Sequence, residues 1–178
     1  MRCILIATLL LLSCFACLPD PQPSTVPVSN RVPLTDITLP ADLNLRENLI
    51  EMRGLTADFT PDTWNQYGLH TFIPYRTGSS YYLIGQMQPV PPNVYACIIL
   101  EDRPDESKAW IVTYYQNKAT DFIEVFNRTE TQSRTVGSNW RLGKLYIQLT
   151  KAEHRYAEHF TISPTANLVP FIDQTIPE

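Results

Sequence analysis

From Ser80 onward, runs rich in β-branched and aromatic residues alternate with short connections that hold proline, aspartate or asparagine, the pattern of strands and turns. Tyr81 to Met87, Val94 to Glu101, Ala109 to Gln116 and Phe122 to Arg128 predict four strands, broken by Pro89, Pro91, Pro92, Pro104, Asp105 and Asn117. In the second of these, Tyr95, Cys97 and Ile99 oppose Ala96, Ile98 and Leu100, so both faces are apolar and the strand is expected at the centre of a sheet. Leu145, Ile147 and Leu149 instead alternate with Lys144, Tyr146, Gln148 and Thr150, a period of two that fits a strand with one wet face. Tyr156 to Ser163 and Leu168 to Ile172 add one or two further strands, and no repeat occurs at a fixed period. The expectation is a mainly β protein, an antiparallel meander closed as a small barrel or folded as a sandwich.

Before Ser80 the pattern is mixed. Thr60 followed by Pro61 reads as a helix N-cap with proline at the first helical position, and Gly68 closes a turn that covers Trp64 and Tyr67. One short helix is expected there, within a single β-rich domain spanning residues 41–178. Between Pro19 and Pro40 lie six of the fifteen prolines, with Gln22, Ser24, Thr25, Ser29 and Asn30 among them. Such a segment favours extended polyproline geometry, about 3.1 Å per residue, and reads as a spacer.

Ahead of the spacer, Arg2 precedes an apolar stretch from Cys3 to Leu18. At 1.5 Å per residue such a helix reaches only about 24 Å, short for a permanent span and typical of an export signal. Within it, Leu11, Leu12, Ser13 and Cys14 resemble the lipobox of bacterial lipoprotein precursors, and Phe15, Ala16 and Cys17 offer a less well matched alternative. The resemblance covers only the signal region. It implies that residues 1–13 are removed, that Cys14 (alternatively Cys17) is lipidated, and that acyl chains hold the protein in the bilayer, each buried methylene contributing about 0.8 kcal/mol. The expected arrangement is a lipidated cysteine and tether over 14–40, then the β-rich body, in the bacterial cell envelope with the membrane as partner.

Composition narrows the function further. Asp and Glu outnumber Lys and Arg by 18 to 14 and the net charge is −4, so a nucleic-acid partner is not expected. His154 and His159 are five apart, a spacing that suits neither one helix face nor one strand face, and no metal site is expected. Glu101, Asp102, Asp105 and Glu106 lack the alternation and central glycine of a calcium loop and read as a polar hairpin turn. Cys97 sits among apolar neighbours and reads as a packed thiol. Gly78 and Ser79 belong to no nucleophile elbow, and Asn127, Arg128 and Thr129 form a glycosylation triplet without meaning in a bacterial envelope. No catalytic residue and no cofactor is expected. The adjacent pairs Tyr81–Tyr82 and Tyr114–Tyr115 place one ring on each side of a strand, and Tyr82 with Tyr115 are the candidates for an aromatic binding face toward a protein or glycan partner. The leading expectation is a non-enzymatic binding module, with a carrier of small apolar ligands in a barrel lumen and an envelope hydrolase as alternatives.

Overall fold

In the computed structural model, which describes residues 31–33, 35–52, 59–129, 134–151 and 154–172, the alternation becomes one antiparallel sheet. Its strands are β1 (Asp42–Asn44), β2 (Ser80–Gln86), β3 (Val94–Asp102), β4 (Glu106–Tyr115), β5 (Lys118–Thr129), β6 (Arg134–Arg141), β7 (Lys144–Lys151), β8 (His154–Ile162) and β9 (Leu168–Pro170). From β2 to β9 they lie in sequence order, and β1 pairs with β6. The expected mainly β meander is therefore present, and β3 is central between β2 and β4.

The sheet does not close into a barrel: among the described residues, the edges β2 and β9 are not paired with each other. Between β5 and β6 the described register holds one pair, Asn127 with Val136, and both halves of the sheet send apolar residues into one core. The far end then returns against β4 and β5 through side chains. Leu168 donates its N–H to Asp121 Oδ2 at 2.9 Å, and the buried Thr113 hydroxyl donates to the Ala166 carbonyl.

Strand alternation divides the apolar residues between two cores. Ile84, Ala96, Ile98, Leu100, Ala109 and Ile111 point to the larger one, which Val136, Trp140, Leu145 and Ile147 of the other half share. Helix α1 (Leu45–Met52) closes that core because Leu45 and Leu49, four apart and so on one helix face, are both fully buried. On the opposite face of β2–β4, Tyr81, Cys97, Ile99, Trp110, Val112 and Tyr114 form the smaller core under helix α2 (Pro61–Gln66). Thr60 caps α2 as expected, exchanging hydrogen bonds with Thr63, and Gly68 follows at φ 69°. Trp64, fully buried, seals this side and donates its Nε1–H to the Ile73 carbonyl at 2.9 Å.

Three features depart from the expectations. Helix α1 is a second helix, and β1 and β6 are strands where none is predicted. The described part of the predicted spacer is packed on the body from Arg31: Arg31 N–H donates to Gln66 O at 3.2 Å, Ile37 and Leu39 bond Gln86 backbone at 2.8 Å, and Leu39 is 2 % exposed. An extended proline-bearing chain leaves its carbonyls free for such bonds, and Ile37 and Leu39 give it apolar contacts. No helix among the described residues is long and apolar enough to cross a membrane. Cys14 and Cys17 lie outside the described residues.

Candidate functional site

Because the meander alternates direction, the connections β2–β3, β4–β5, β6–β7 and β8–β9 gather at one end of the sheet. Every non-glycine residue of positive φ among the described residues is there: Asn93 at 64°, Gln116 at 51°, Asn117 at 64°, Leu142 at 49° and Ala166 at 64°. Gln116–Asn117 and Leu142–Gly143 are two-residue hairpin loops, between the pairs Tyr115–Lys118 and Arg141–Lys144, with both central residues at positive φ. That geometry favours Asn-Gly, and a left-handed glutamine or leucine costs on the order of 1 to 2 kcal/mol. Backbone strain of this kind concentrates at binding and switching regions.

The segment that leads toward the N-terminus arrives at the same end. Tyr95 donates its hydroxyl to the Pro33 carbonyl, and Leu142 donates its N–H to Ala41 O at 3.0 Å. Between the strap at Val32 and the β4–β5 hairpin lies a cleft of about 520 Å³, lined by Tyr95, Tyr114 and Tyr115 and by Asn93, Gln116 and Asn117. Its volume falls within the range of small-ligand sites.

The polar groups of the cleft are unevenly satisfied. Tyr95 has its bond to the strap, whereas the Tyr114 hydroxyl is buried with no hydrogen-bond partner among the described residues, on a residue 1 % exposed. Leaving a buried hydroxyl unpaired costs about 1 to 3 kcal/mol. Burial holds the Tyr95 and Tyr114 phenols well above the ordinary tyrosine value, so both stay neutral, and the nearby Cys97 thiol adds in the same direction. Among the described residues, none that lines the cleft carries a charge at neutral pH.

At the opposite end a cleft of about 690 Å³ is lined by the acidic hairpin, including Asp102, Arg103, Asp105, Glu106 and Arg128. Its charges largely answer one another. Lys108 Nζ lies 2.7 Å from Glu106 Oε1, Arg76 Nη1 3.4 Å from Glu106 Oε2, Arg103 Nε 3.7 Å from Asp105 Oδ1, and Ser107 donates to Asp102 at 2.7 Å. Glu101 is no exposed turn residue but 2 % exposed, accepting from the Ser79 hydroxyl at 2.6 Å and the Tyr81 hydroxyl at 3.2 Å. Ser79 thus gives its proton to a carboxylate rather than to an imidazole, the arrangement of a loop anchor and not of an activated nucleophile.

The remaining candidates fall apart in space. Tyr82 and Tyr115 do share a face of the sheet, but both are half-buried against the larger core. Tyr82 pairs with Leu100 and Tyr115 with Val94, six residues apart along β3, a separation of roughly 20 Å at 3.4 Å per residue. They therefore form no single exposed aromatic face, and only Tyr115 reaches the cleft. His159 contacts Tyr146 and Phe171 ring to ring on β7–β8. No group of three His, Cys, Asp or Glu among the described residues is placed to hold a metal. Cys97 is fully buried and its thiol pushed up by burial, so it is held protonated. Asn127 is 5 % exposed. Sequence reasoning missed Asn93 and Gln116, whose only signal was their position in proline- and asparagine-bearing turns. No known protein family, curated protein or solved structure matches this chain.

Proposed function

We propose that this chain is an exported, lipid-anchored binding protein of the bacterial cell envelope, which holds a ligand or partner at the tyrosine-lined cleft and performs no chemistry. Support for the anchor comes from Arg2, the apolar stretch, the Leu11-Leu12-Ser13-Cys14 run and the prolines that follow. Support for binding comes above all from one observation, a cleft of about 520 Å³ lined by tyrosines, asparagines and a glutamine and framed by turns of positive φ. The alternative of an apolar-ligand carrier draws less support, because the interior it needs is filled by Ile84, Ile98, Leu100, Ile111, Trp140 and Leu145, each at most 1 % exposed.

Metabolic labelling with a radioactive fatty acid tests the anchor. The full chain and Cys17→Ser are expected to take up label and fractionate with membranes, whereas Cys14→Ser is expected to lose both. Equal labelling of Cys14→Ser and the wild type moves the anchor to Cys17, and absence of label from all three contradicts lipid anchoring.

A further inference from the structure

We propose that the corner of the sheet formed by the β6–β7 turn and β9 rests on the anionic headgroups of the bilayer that holds the anchor, and so gives the body one orientation. This builds on the reading of the chain as lipid-anchored and adds the face that it turns to the membrane. The register defines that face. Arg141 pairs with Lys144, Lys144 with Thr161 and Thr161 with Val169, so these four residues form one row across β6–β9. Their neighbours Trp140, Leu145, Ile162 and Leu168 point to the larger core, so the row points away from it. One step along, Tyr146 pairs with His159, and Phe171 donates its N–H to the His159 carbonyl at 3.0 Å. Their three rings touch, with centroids 5.0 to 6.1 Å apart, and Lys144 Nζ lies 5.1 Å from the Phe171 centroid. Aromatic rings beside a cation suit the level of lipid headgroups.

Apolar exposure gathers at the same corner. Leu142 is 72 % exposed, Val169 41 % and Ile172 89 %, three of the five exposed large apolar residues among those described. Single exposed apolar residues need no explanation, whereas a group of them ringed by polar residues marks a contact surface. Leu142 carries the further signal of strain. It stands at φ 49° in a two-residue turn whose geometry favours asparagine, and its side chain is mostly in water, so the body gains little from it. An apolar medium outside the body accounts for a leucine at that tip.

Charge fixes which apolar medium. Arg141 and Lys144 flank Leu142 and are both exposed. The Asp42 carboxylate is 3.9 Å from Arg141 Nε, and both side chains are more than two-thirds exposed, so water screens the pair and leaves the guanidinium available to a phosphate. The chain as a whole carries −4, and Asp102, Asp105 and Glu106 stand at the other end of the sheet. An anionic surface therefore repels that end and attracts this corner. The strap also arrives here, since Leu142 donates its N–H to Ala41 O and Val32 lies at the same end of the sheet. From Cys14 to Arg31 the chain reaches at most about 60 Å, at about 3.5 Å per residue, so the anchor keeps the corner close to lipid. Two cations and a few apolar side chains are too little to recruit a free protein, but they suffice to orient one already held at the surface.

The test uses the full acylated chain on a Cys17→Ser background, reconstituted in vesicles of phosphatidylcholine alone or mixed with phosphatidylglycerol. A fluorophore is placed at Thr165→Cys, in the β8–β9 connection, or at Asp105→Cys, in the hairpin at the opposite end. Flotation with the vesicles reports the anchor, and quenching by nitroxide-labelled headgroups reports the orientation. Position 165 is expected to be quenched at least twofold more than position 105 in the anionic vesicles, and the contrast is expected to shrink in phosphatidylcholine and at high salt. Lys144→Glu and Leu142→Asn are each expected to reduce the contrast at least twofold while the protein still floats and its melting temperature holds. Equal quenching at both positions in a protein that floats leaves the anchor standing and overturns the docking face, as does a contrast that neither substitution changes; the corner then answers to a protein partner instead of lipid. A protein that floats with neither vesicle contradicts the Cys14 anchor and removes the inference with it.

Discussion

Two tyrosines in one cleft make opposite demands. Tyr95 spends its hydroxyl on the Pro33 carbonyl, and Tyr114 has no partner for its own among the described residues. Tyr95→Phe is therefore expected to destabilise the protein by about 1 kcal/mol, whereas Tyr114→Phe is expected to be neutral or to stabilise it by about the same amount. Denaturant melts of the two variants check this, and a clear loss of stability in Tyr114→Phe would mean that its hydroxyl is satisfied. The same residues set an alkaline limit. Burial raises the phenols of Tyr81, Tyr95 and Tyr114 above the ordinary 10.0, and raises the Cys97 thiol above its ordinary 9.0. The folded state then keeps protons that the unfolded chain has released, so the stability these groups carry is complete below about pH 9 and is lost as pH climbs through 10 and beyond. Melting temperatures across that window are expected to fall, and to fall less steeply in Tyr114→Phe. The pairing of one ring to each side of a strand was legible in the sequence from the doublets Tyr81–Tyr82 and Tyr114–Tyr115. Which ring of each pair is buried was not, because the segments that bury Tyr81 and Tyr114, α2 among them, come from distant positions.

At the level of elements, the edge strand β2 explains how the chain before residue 40 is tied in. Ile37 and Leu39 bond Gln86 on both sides of the parallel bridge Thr38–Gln86, and so cover the end of an edge that would otherwise present free backbone groups. They fit because of Gly85, which sits at the shift in the β2–β3 register. A Cβ there would lie 2.8 Å from Leu39 Cδ2 and 3.0 Å from Ile37 O. Gly85→Ala is expected to cost about 1 to 3 kcal/mol by pushing the strap away, with increased proteolysis ahead of Pro40 as its sign. An unchanged cleavage pattern would show that the strap yields without detaching. The strongly apolar strands β3 and β4 were legible from composition alone, and α2 from Thr60, Pro61 and Gly68. β6 was not, because Arg134–Arg141 carries only Val136 and Trp140 as large apolar residues, and its hairpin turn is Leu142–Gly143 rather than Asn-Gly. Replacing Leu142 by Asn supplies the favoured pair and is expected to raise stability by about 1 kcal/mol, measured by thermal melting. Leu142 is 72 % exposed, so little burial is lost with it.

Across the whole molecule, the two ends of the folded sheet are unlike. One holds charged groups that largely neutralise one another, and the other gathers the strained loops, the uncharged cleft and the arriving strap. A sequence of alternating strands does not reveal this polarity, since it depends on which turns the meander brings together. The central claim is that the chain is anchored by its N-terminus and holds a ligand at that second end. It is tested most directly by native mass spectrometry of the full-length protein extracted from its own membranes, beside the Asn117→Gly variant. The account predicts a polypeptide that begins at Cys14 and carries acyl chains, with a further non-covalent mass that is present in the wild type and reduced in the variant. A polypeptide that begins elsewhere without acyl chains, or a non-covalent mass retained equally by both proteins, would contradict it.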